Sequence, residues 1–355
     1  MRTTTVAGRT WHYSHYLGRQ TPEHNVSQFG STGGYMYPMD VAFGDGDVLF
    51  AVSRGMGYGY DGYIGDIGCR IGKTTIDEHH LGDFSRAGFT WPSGLAVAGD
   101  GKVYCSDEHE CSISVFDPEA TFPFPEGKPG EEALSTWGVK GAAPGQLSGP
   151  SGIVFDSRDN LYVVDSRNDR VQLFTRDGQL LDGWGRSGAR EGEFARPWGI
   201  TIDTQGDVYV ADWGNNRVQK FSGEGEYIQS FGVEYPEEMR LDHPSDVAVD
   251  SEGDVYVVDW GNKRVQIFDS EGDILTCLYG DAVEFSKWAK EVVEANADAL
   301  KAYRRVQDKS RLAAFERPTS IAIDQNDRII ISESTRGRLQ VYVKEKEYMD
   351  PQYNL

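Results

Sequence analysis

The chain has 355 residues, which is enough for two average domains or for one large all-β domain. Its 35 basic and 56 acidic side chains leave a formal charge of −21, and such a surface repels nucleic acid phosphates and anionic lipid. No apolar run approaches the ~20 residues needed to cross a bilayer, and the N-terminus lacks the apolar core of a signal peptide. We therefore expect a cytoplasmic protein that binds neither nucleic acid nor membrane.

In chain order, the predicted elements begin with TWHYSHYLG at residues 10–18, a strand-like run with no obvious partner nearby. Units of short alternating strands follow, each opening at a proline. The first opens with YPMDVAFGDGDVLFAVS at Tyr37, and the three clearest copies begin at Gly149, Arg196 and His243. The prolines that mark the units are Pro38, Pro92, Pro150, Pro197, Pro244 and Pro318.

Each unit is predicted to hold four strands, because period-two alternation of β-branched and aromatic residues is broken by Gly, Asp and Asn turns. In the unit from Gly149 these strands are GIVFD, LYVVD, RVQLF and LLDGW. Six such units predict a single all-β domain over residues 1–355, a six-bladed β-propeller closed so that no long edge stays exposed. The last unit lacks a fourth strand, so we expect residues 10–18 to supply it and close the ring.

Three insertions interrupt this pattern, at residues 54–68, 118–134 and 281–315. The first, RGMGYGYDGYIGDIG, joins the second and third strands of unit one. The last has a helical pattern, with Asp281 as a predicted cap. Its predicted apolar stripe consists of Phe285, Trp288, Ala289, Val292 and Val293. Both should lie on the face where each innermost strand begins, here called the top face, and cover one sector of it. The proline-rich 118–134 segment should lie on the opposite face.

The repeated pattern runs Pro-x-Gly-Ile/Val-x-Val/Phe-Asp, then Leu/Val-Tyr-Val-x-Asp, then Asn-x-Arg-Val/Ile-Gln-x-Phe. It resembles NHL repeats, which are found in six-bladed propellers. The resemblance implies the fold and leaves the function open, since such relatives include binding scaffolds, some for RNA, and a zinc lyase. The zinc histidines of that lyase directly follow the key prolines. Here those places hold Met39, Ser93, Ser151, Trp198, Ser245 and Thr319, so that zinc site is not predicted.

Departures from the repeat predict a candidate site. Asp40 and Asp246 stand where three units have glycine, and Glu333 replaces an aspartate that closes the second strand in four units. Because units five, six and one adjoin in a closed ring, we expect these carboxylates and His243 to be catalytic, as a general acid/base pair. Asp40, Asp246 and Glu333 would alternatively hold a divalent cation, calcium or another. The regular aspartates are interpreted as structural partners of the Asn-x-Arg turn.

The remaining candidates are ligand-binding side chains on the same face. Arg54 and Arg317 are suited to a carboxylate ligand, and the aromatic residues to an aromatic or apolar one. The aromatic candidates are Tyr37, Trp198, Trp213 and Trp260. Taken singly, each is better explained as a solvated charge or a rim contact, whereas their clustering on one face favours a site. Two functions stay open: a lyase or hydrolase acting on a small molecule in the covered funnel, or a non-catalytic propeller that binds a protein or peptide. The oligomeric state is also open.

Overall fold

The computed structural model describes residues 3–18, 35, 37–54, 69–84, 89–120, 133–233, 235–295 and 297–345. They form six antiparallel sheets, which are the six blades. Blade one consists of β3 (Pro38–Phe43), β4 (Val48–Arg54), β5 (Cys69–Thr75) and β6 (His80–Phe84). Blade two consists of β7 (Pro92–Val97), β8 (Val103–Asp107), β9 (Ser112–Phe116) and β10 (Ser135–Trp137). Blade three consists of β11 (Pro150–Phe155), β12 (Leu161–Asp165), β13 (Arg170–Phe174) and β14 (Leu180–Trp184).

The second half of the ring continues the pattern. Blade four consists of β15 (Ile200–Ile202), β16 (Val208–Asp212), β17 (Arg217–Phe221) and β18 (Tyr227–Phe231). Blade five consists of β19 (Pro244–Val249), β20 (Val255–Asp259), β21 (Arg264–Phe268) and β22 (Ile274–Leu278). Blade six consists of β23 (Pro318–Ile323), β24 (Arg328–Glu333) and β25 (Arg338–Glu345), joined by the N-terminal β2 (Arg9–Gly18) and β1 (Thr3–Val6).

The blades form a closed ring. Their first strands contact one another in the order β3, β7, β11, β15, β19, β23 and back to β3. Apolar side chains fill the spaces between blades; one such cluster joins Val218 of blade four to Val247 and Val257 of blade five. The six-bladed propeller predicted from the repeats is confirmed. Burial between blades is what holds together sheets that are each too small to be stable alone.

The N-terminal segment supplies the outer part of blade six. Strand β2 pairs antiparallel with β25, with Trp11 opposite Lys344 and Leu17 opposite Leu339. The Trp11, Tyr16 and Leu17 side chains are buried. This is the arrangement that the unmatched run of aromatic residues predicts. Strand β1 then adds a fifth strand by a hairpin with β2, which the sequence analysis did not anticipate.

The repeated aspartates hold the blades to the loops that enter them. Asp212 accepts hydrogen bonds from the Ala195 amide at 2.8 Å, and from Asn215 and Arg217 at 2.9 Å each. Arg217 in turn donates to the Arg190 and Glu193 carbonyl oxygens in the loop from the preceding blade. Asp165 and Asp259 make corresponding bonds in their own blades. The structural interpretation of these aspartates therefore agrees with the geometry.

The 281–315 insertion contains α1 (Lys287–Ala295), α2 (Ala297–Arg305) and α3 (Ser310–Ala313). Asp281 does not cap it. The Ser286 hydroxyl accepts from the Ala289 amide at 3.0 Å instead. Helix α1 packs on β2, with Ala289 against Tyr16. The insertion therefore covers the outer edge of blade six, and none of its described residues lines the channel. Residues 55–68 and 121–132 of the other two insertions lie outside the described part of the chain.

Candidate functional site

A channel runs along the axis of the ring, bounded by the innermost strand of every blade. Its volume is about 310 Å³. The side chains and backbone around it are almost all apolar or small, because these strands also form the cores between blades. The two acidic residues among its lining residues are Asp40 of blade one and Asp246 of blade five. The structure thus brings together two of the predicted site residues, from blades separated by blade six.

Asp40 and Asp246 lie at one level of the channel, two positions after the key proline of each blade. At this level blades five, six and one contribute Asp246, Ser320 and Asp40, here called the polar half-ring. Blades two, three and four contribute Gly94, Gly152 and Gly199, the glycine half-ring. A Cβ on Gly152 would lie 2.6 Å from the Trp198 carbonyl oxygen, and one on Gly199 would overlap the Asp246 carboxylate. The glycine half-ring therefore has no room for side chains where blades meet, and the polar half-ring carries all the chemistry.

Each channel aspartate ties its blade to the next one. Asp40 Oδ1 accepts from the Val41 amide at 2.8 Å and Oδ2 from the Leu95 amide of blade two at 2.7 Å. Asp246 Oδ2 accepts from the Ile321 amide of blade six at 2.9 Å. These bonds hold both carboxyl groups in fixed orientations. A carboxyl group positioned by the backbone is prepared for a ligand at little entropic cost.

The environment of the two aspartates favours their protonated forms. Burial raises the pKa of Asp40 to about 7, and amide donors only partly offset this. Burial, followed by the negative charge of Asp40, raises the pKa of Asp246 well above its ordinary value. No arginine, lysine or histidine is among the described residues that line the channel. At neutral pH the pair therefore retains at least one proton, as expected when two carboxyl groups share one site.

Two buried hydroxyl groups accompany the aspartates. Ser320 is 3% exposed and Ser245 is 6% exposed. Neither hydroxyl oxygen makes a well-formed hydrogen bond to any group in the described part of the chain. The Ser320 hydroxyl lies beside Asp40, where it lowers the pKa of that carboxyl. Buried polar atoms are normally paired, so the Ser320 hydroxyl indicates a place for a ligand or for water beside Asp40.

Glu333 does not join the two aspartates, and this part of the site prediction needs correction. Its side chain is completely buried and pairs with Arg338, with Nε 2.8 Å from Oε2 and Nη2 3.0 Å from Oε1. Gln340 donates to the same Oε1 at 2.8 Å. Glu333 therefore replaces the repeated aspartate in its structural role. Within the described residues no group of three or more His, Cys, Asp or Glu side chains could hold a metal ion.

His243 lies at the rim of the top face and not in the channel. Its ring centroid is 4.1 Å from that of Trp213 and 6.5 Å from that of Trp260. The Arg317 guanidinium lies 6.0 Å from the Trp260 ring centre. These four predicted residues, here called the rim row, follow one another across blades four, five and six. His243 Nδ1 is 2.5 Å from Asp242 Oδ1, so its proton partner is a rim carboxylate and not Asp246.

Arg54 and Trp198 come together from opposite sides of the ring, since blades one and four face each other. The Arg54 guanidinium is 5.9 Å from the Trp198 ring centre. Arg54 also donates to the Pro92 carbonyl oxygen at 2.9 Å and to Ser93 Oγ at 2.8 Å, and it pairs with Glu108. These contacts place a cation and an indole close together on the top face. Arg54 is itself neutralised, so it is a weaker candidate for a carboxylate ligand than predicted.

Sequence reasoning missed Glu108. It occupies the place after the second strand that holds Arg54, Trp213 and Trp260 in other blades, and a unit-by-unit comparison of that place would have found it. Tyr37 was predicted to contact a ligand. In the structure it stands before Pro38 with φ +50°, and its carbonyl oxygen accepts from the Arg54 amide at 3.1 Å. Its visible contribution is thus through the backbone.

The architecture is that of a six-bladed β-propeller, with the candidate site at its axis. The NHL repeat family matches residues 147–174, 194–221 and 241–268. The chain therefore contains three matched NHL repeats within its six-bladed β-propeller. No curated protein matches it in sequence. In the described residues no helix is long and apolar enough to cross a membrane.

Solved structures resemble the chain in fold at low identity. A protein of unknown function from Bacteroides thetaiotaomicron has a TM-score of 0.63 at 17% identity, over 95% of this chain and 76% of that one. A streptogramin B lyase structure has a TM-score of 0.58 at 10% identity, over 96% and 100%. A catalytically inactive virginiamycin B lyase from Staphylococcus aureus, with quinupristin, has a TM-score of 0.52 at 14% identity, over 96% and 93%. Identities this low show the shared fold alone.

Proposed function

We propose that the chain binds a small polar molecule at the head of its channel, and that Asp40 and Asp246 exchange protons with it. The observation that carries this proposal is the asymmetry of one channel level. By position in the repeat, two aspartates and a serine stand on one side and three glycines stand on the other. Of these six residues, Asp40, Asp246 and Gly152 line the channel. No cationic side chain accompanies these two carboxyl groups among the described lining residues, and an unpaired carboxylate at such a place is costly to desolvate.

The pair is suited to acid–base chemistry. A carboxyl group whose pKa is about 7, as for Asp40, works efficiently as a base at neutral pH. Asp246, with its pKa raised further, would stay protonated and serve as the acid. Carboxyl groups whose environments push their pKa values apart are a common solution for acid and base roles in one site. The reaction classes that such a pair supports are elimination, as in a lyase, and hydrolysis. Two of the fold relatives are lyases by name.

The test is a screen of small amines, amides, lactones and carboxylic acids by saturation-transfer NMR. Carbon-13 NMR of the aspartate carboxyl groups would run alongside it. We expect some of these compounds to bind and to shift the titration of the two carboxyl groups. Their binding should be lost in the Asp40→Asn and Asp246→Asn variants. Asp182→Asn, which alters an exposed carboxylate on β14, should keep every hit. The proposal would be overturned if both carboxyl groups titrated near their ordinary pKa and no compound required them for binding.

A second candidate function, recognition of a peptide or protein, is favoured by the rim row. Trp213, His243 and Trp260 are only partly buried, and Arg317 beside them is exposed. Aromatic residues and arginine are the side chains that dominate protein interfaces. This function needs no chemistry in the channel, so the two candidates depend on different residues.

The rim row can be tested by selecting a random peptide library on the immobilised protein. If the second candidate holds, the selected peptides should bind wild type, and Trp213→Ala combined with Trp260→Ala should weaken them by about 2 kcal/mol or more. Leu181→Ala, at a half-exposed position on blade three, is the matched control. Peptides that bind the rim variant as well as wild type would exclude the rim row as their site.

A further inference from the structure

The polar half-ring presents a hydroxyl group in addition to its two carboxyl groups. Ser320 lies between Asp246 and Asp40 in blade order, so three oxygen-bearing side chains from three consecutive blades occupy one level. Each aspartate oxygen that accepts a backbone amide has a second lone pair. The buried Ser320 hydroxyl has no well-formed hydrogen bond in the described part of the chain. The half-ring therefore offers acceptors that the protein itself does not fill.

No group of opposite charge satisfies these acceptors. The described residues lining the channel include no arginine, lysine or histidine, and Arg54 above it is held by Glu108, Ser93 and Pro92. The Cys105 thiol of blade two also senses the charge of Asp40. Burial raises the pKa of that thiol well above its ordinary value, so it stays neutral. A net charge of −21 over the whole chain adds to the attraction for a cation.

We propose that the polar half-ring binds a primary ammonium group, with Asp40, Asp246 and Ser320 each accepting one of its three N–H bonds. This inference rests on the proposed function and specifies its ligand as a small primary amine. The channel, with a volume of about 310 Å³, leaves the space for the substituent of the amine. A metal ion fits less well, since calcium takes six to eight oxygen ligands and the described residues contain no cluster of three metal-binding side chains.

Binding should be linked to protons. An ammonium ion stabilises the charged form of both carboxyl groups, so the pair must give up a proton to solvent as the cation enters. Below pH 7 Asp40 becomes protonated, and affinity for the cation should fall. The amine itself stays protonated throughout this range, because its pKa is near that of lysine. Affinity should therefore rise with pH between about 6 and 8.

The experiment is calorimetric titration of the full chain with ethylammonium chloride, in buffers of different ionisation enthalpy. We expect proton release on binding. Asp40→Asn and Asp246→Asn should each weaken binding about tenfold or more, and Ser320→Ala should weaken it less. Asp182→Asn should leave it unchanged. Tetramethylammonium, which has the charge and no N–H donor, should bind far more weakly than ethylammonium, and ethanol should not bind.

Three outcomes would overturn the inference. They are equal binding of ethylammonium and tetramethylammonium, tighter binding of calcium than of either, and no change in the two aspartate variants. Should a variant fail to fold, the comparison of the three probes on wild type still decides. Carboxyl titration by carbon-13 NMR separates the two proposals. If the two carboxyl groups titrate as a coupled pair and bind other small molecules but no amine, only this inference is wrong. If the two carboxyl groups titrate independently, the proposed function is wrong as well.

Discussion

The indole nitrogen of Trp11 donates a 2.8 Å hydrogen bond to the Tyr256 hydroxyl, and both side chains are buried. Trp11 belongs to the N-terminal strand of blade six, and Tyr256 belongs to blade five. The Tyr256 hydroxyl in turn donates to Asp250 at 2.8 Å, and Lys344 contacts Asp250 at 2.6 Å. The first residues of the chain are thus joined to its last blade and to the blade before it.

Deleting residues 1–18 should therefore destabilise the whole ring. The deletion leaves β25 without its outer partner and removes the buried Trp11, Tyr16 and Leu17. Trp11→Ala alone should cost about 3–5 kcal/mol of unfolding free energy. Deleting only residues 1–6, which removes the mostly exposed β1, should cost much less. Thermal and urea unfolding would measure both, and equal melting temperatures for the 1–18 deletion and the full chain would refute the role of β2 in closure.

Asp40 should make the stability of the protein depend on pH. Its pKa rises from 3.8 to about 7 on folding, so the folded state binds this proton more tightly than the unfolded state does. Its contribution to stability is therefore greatest below pH 3.8 and is lost as pH rises to about 7, at about 1.4 kcal/mol per pKa unit. Asp40→Asn should gain stability relative to wild type across that window. The measurement is urea unfolding of both proteins from pH 4 to 8. If the pKa of Asp40 were ordinary, the difference in unfolding free energy between wild type and Asp40→Asn would be constant over this range.

Substitution of a repeated aspartate should destabilise the protein, whereas Asp40→Asn should stabilise it. Asp212→Ala removes the partner of the buried Arg217 and leaves the Ala195 amide unpaired. Removing one partner of a buried ion pair costs about 3–5 kcal/mol. Asp182→Ala, at an exposed position on β14, is the matched control and should change stability by less than about 0.5 kcal/mol. A small loss for Asp212→Ala, measured by denaturant unfolding, would mean that the pair does not hold the inter-blade loop.

Glu333 offers a separate test of its structural role. Glu333→Gln weakens the buried pair with Arg338 and should lower the unfolding free energy by about 1–3 kcal/mol. It should leave the carboxyl titration of Asp40 and Asp246 unchanged, because its contacts are within blade six. Carbon-13 NMR and urea unfolding of the same variant would check both statements. A shift in the titration of Asp40 or Asp246 with no loss of stability would mean that Glu333 acts in the channel site and not as a structural partner of Arg338.

The sequence predicted the propeller well because each blade repeats one pattern of strands and turns. Proline, glycine, the paired Asp and Arg, and period-two alternation fall at fixed offsets in every clear unit, and each is a local property. The prediction for the 281–315 insertion was weaker. Its helical pattern was right, but its predicted cap was not, because the Ser286 hydroxyl and not Asp281 bonds the first turn of α1. The packing of α1 on β2 depends on the far end of the chain, which the local pattern does not contain.

For the site, the repeat pattern shows which residues depart from it, and Asp40 and Asp246 are predicted on that ground. What each departure does depends on the fold. Asp246 is buried and Asp40 partly buried in a channel whose described lining residues include no cation, whereas Glu333, also a carboxylate, is neutralised by Arg338. The physical reason is that the free energy of a carboxylate depends on its solvation and on charges brought near by closure of the ring. The pattern along one blade does not contain the neighbours that other blades provide.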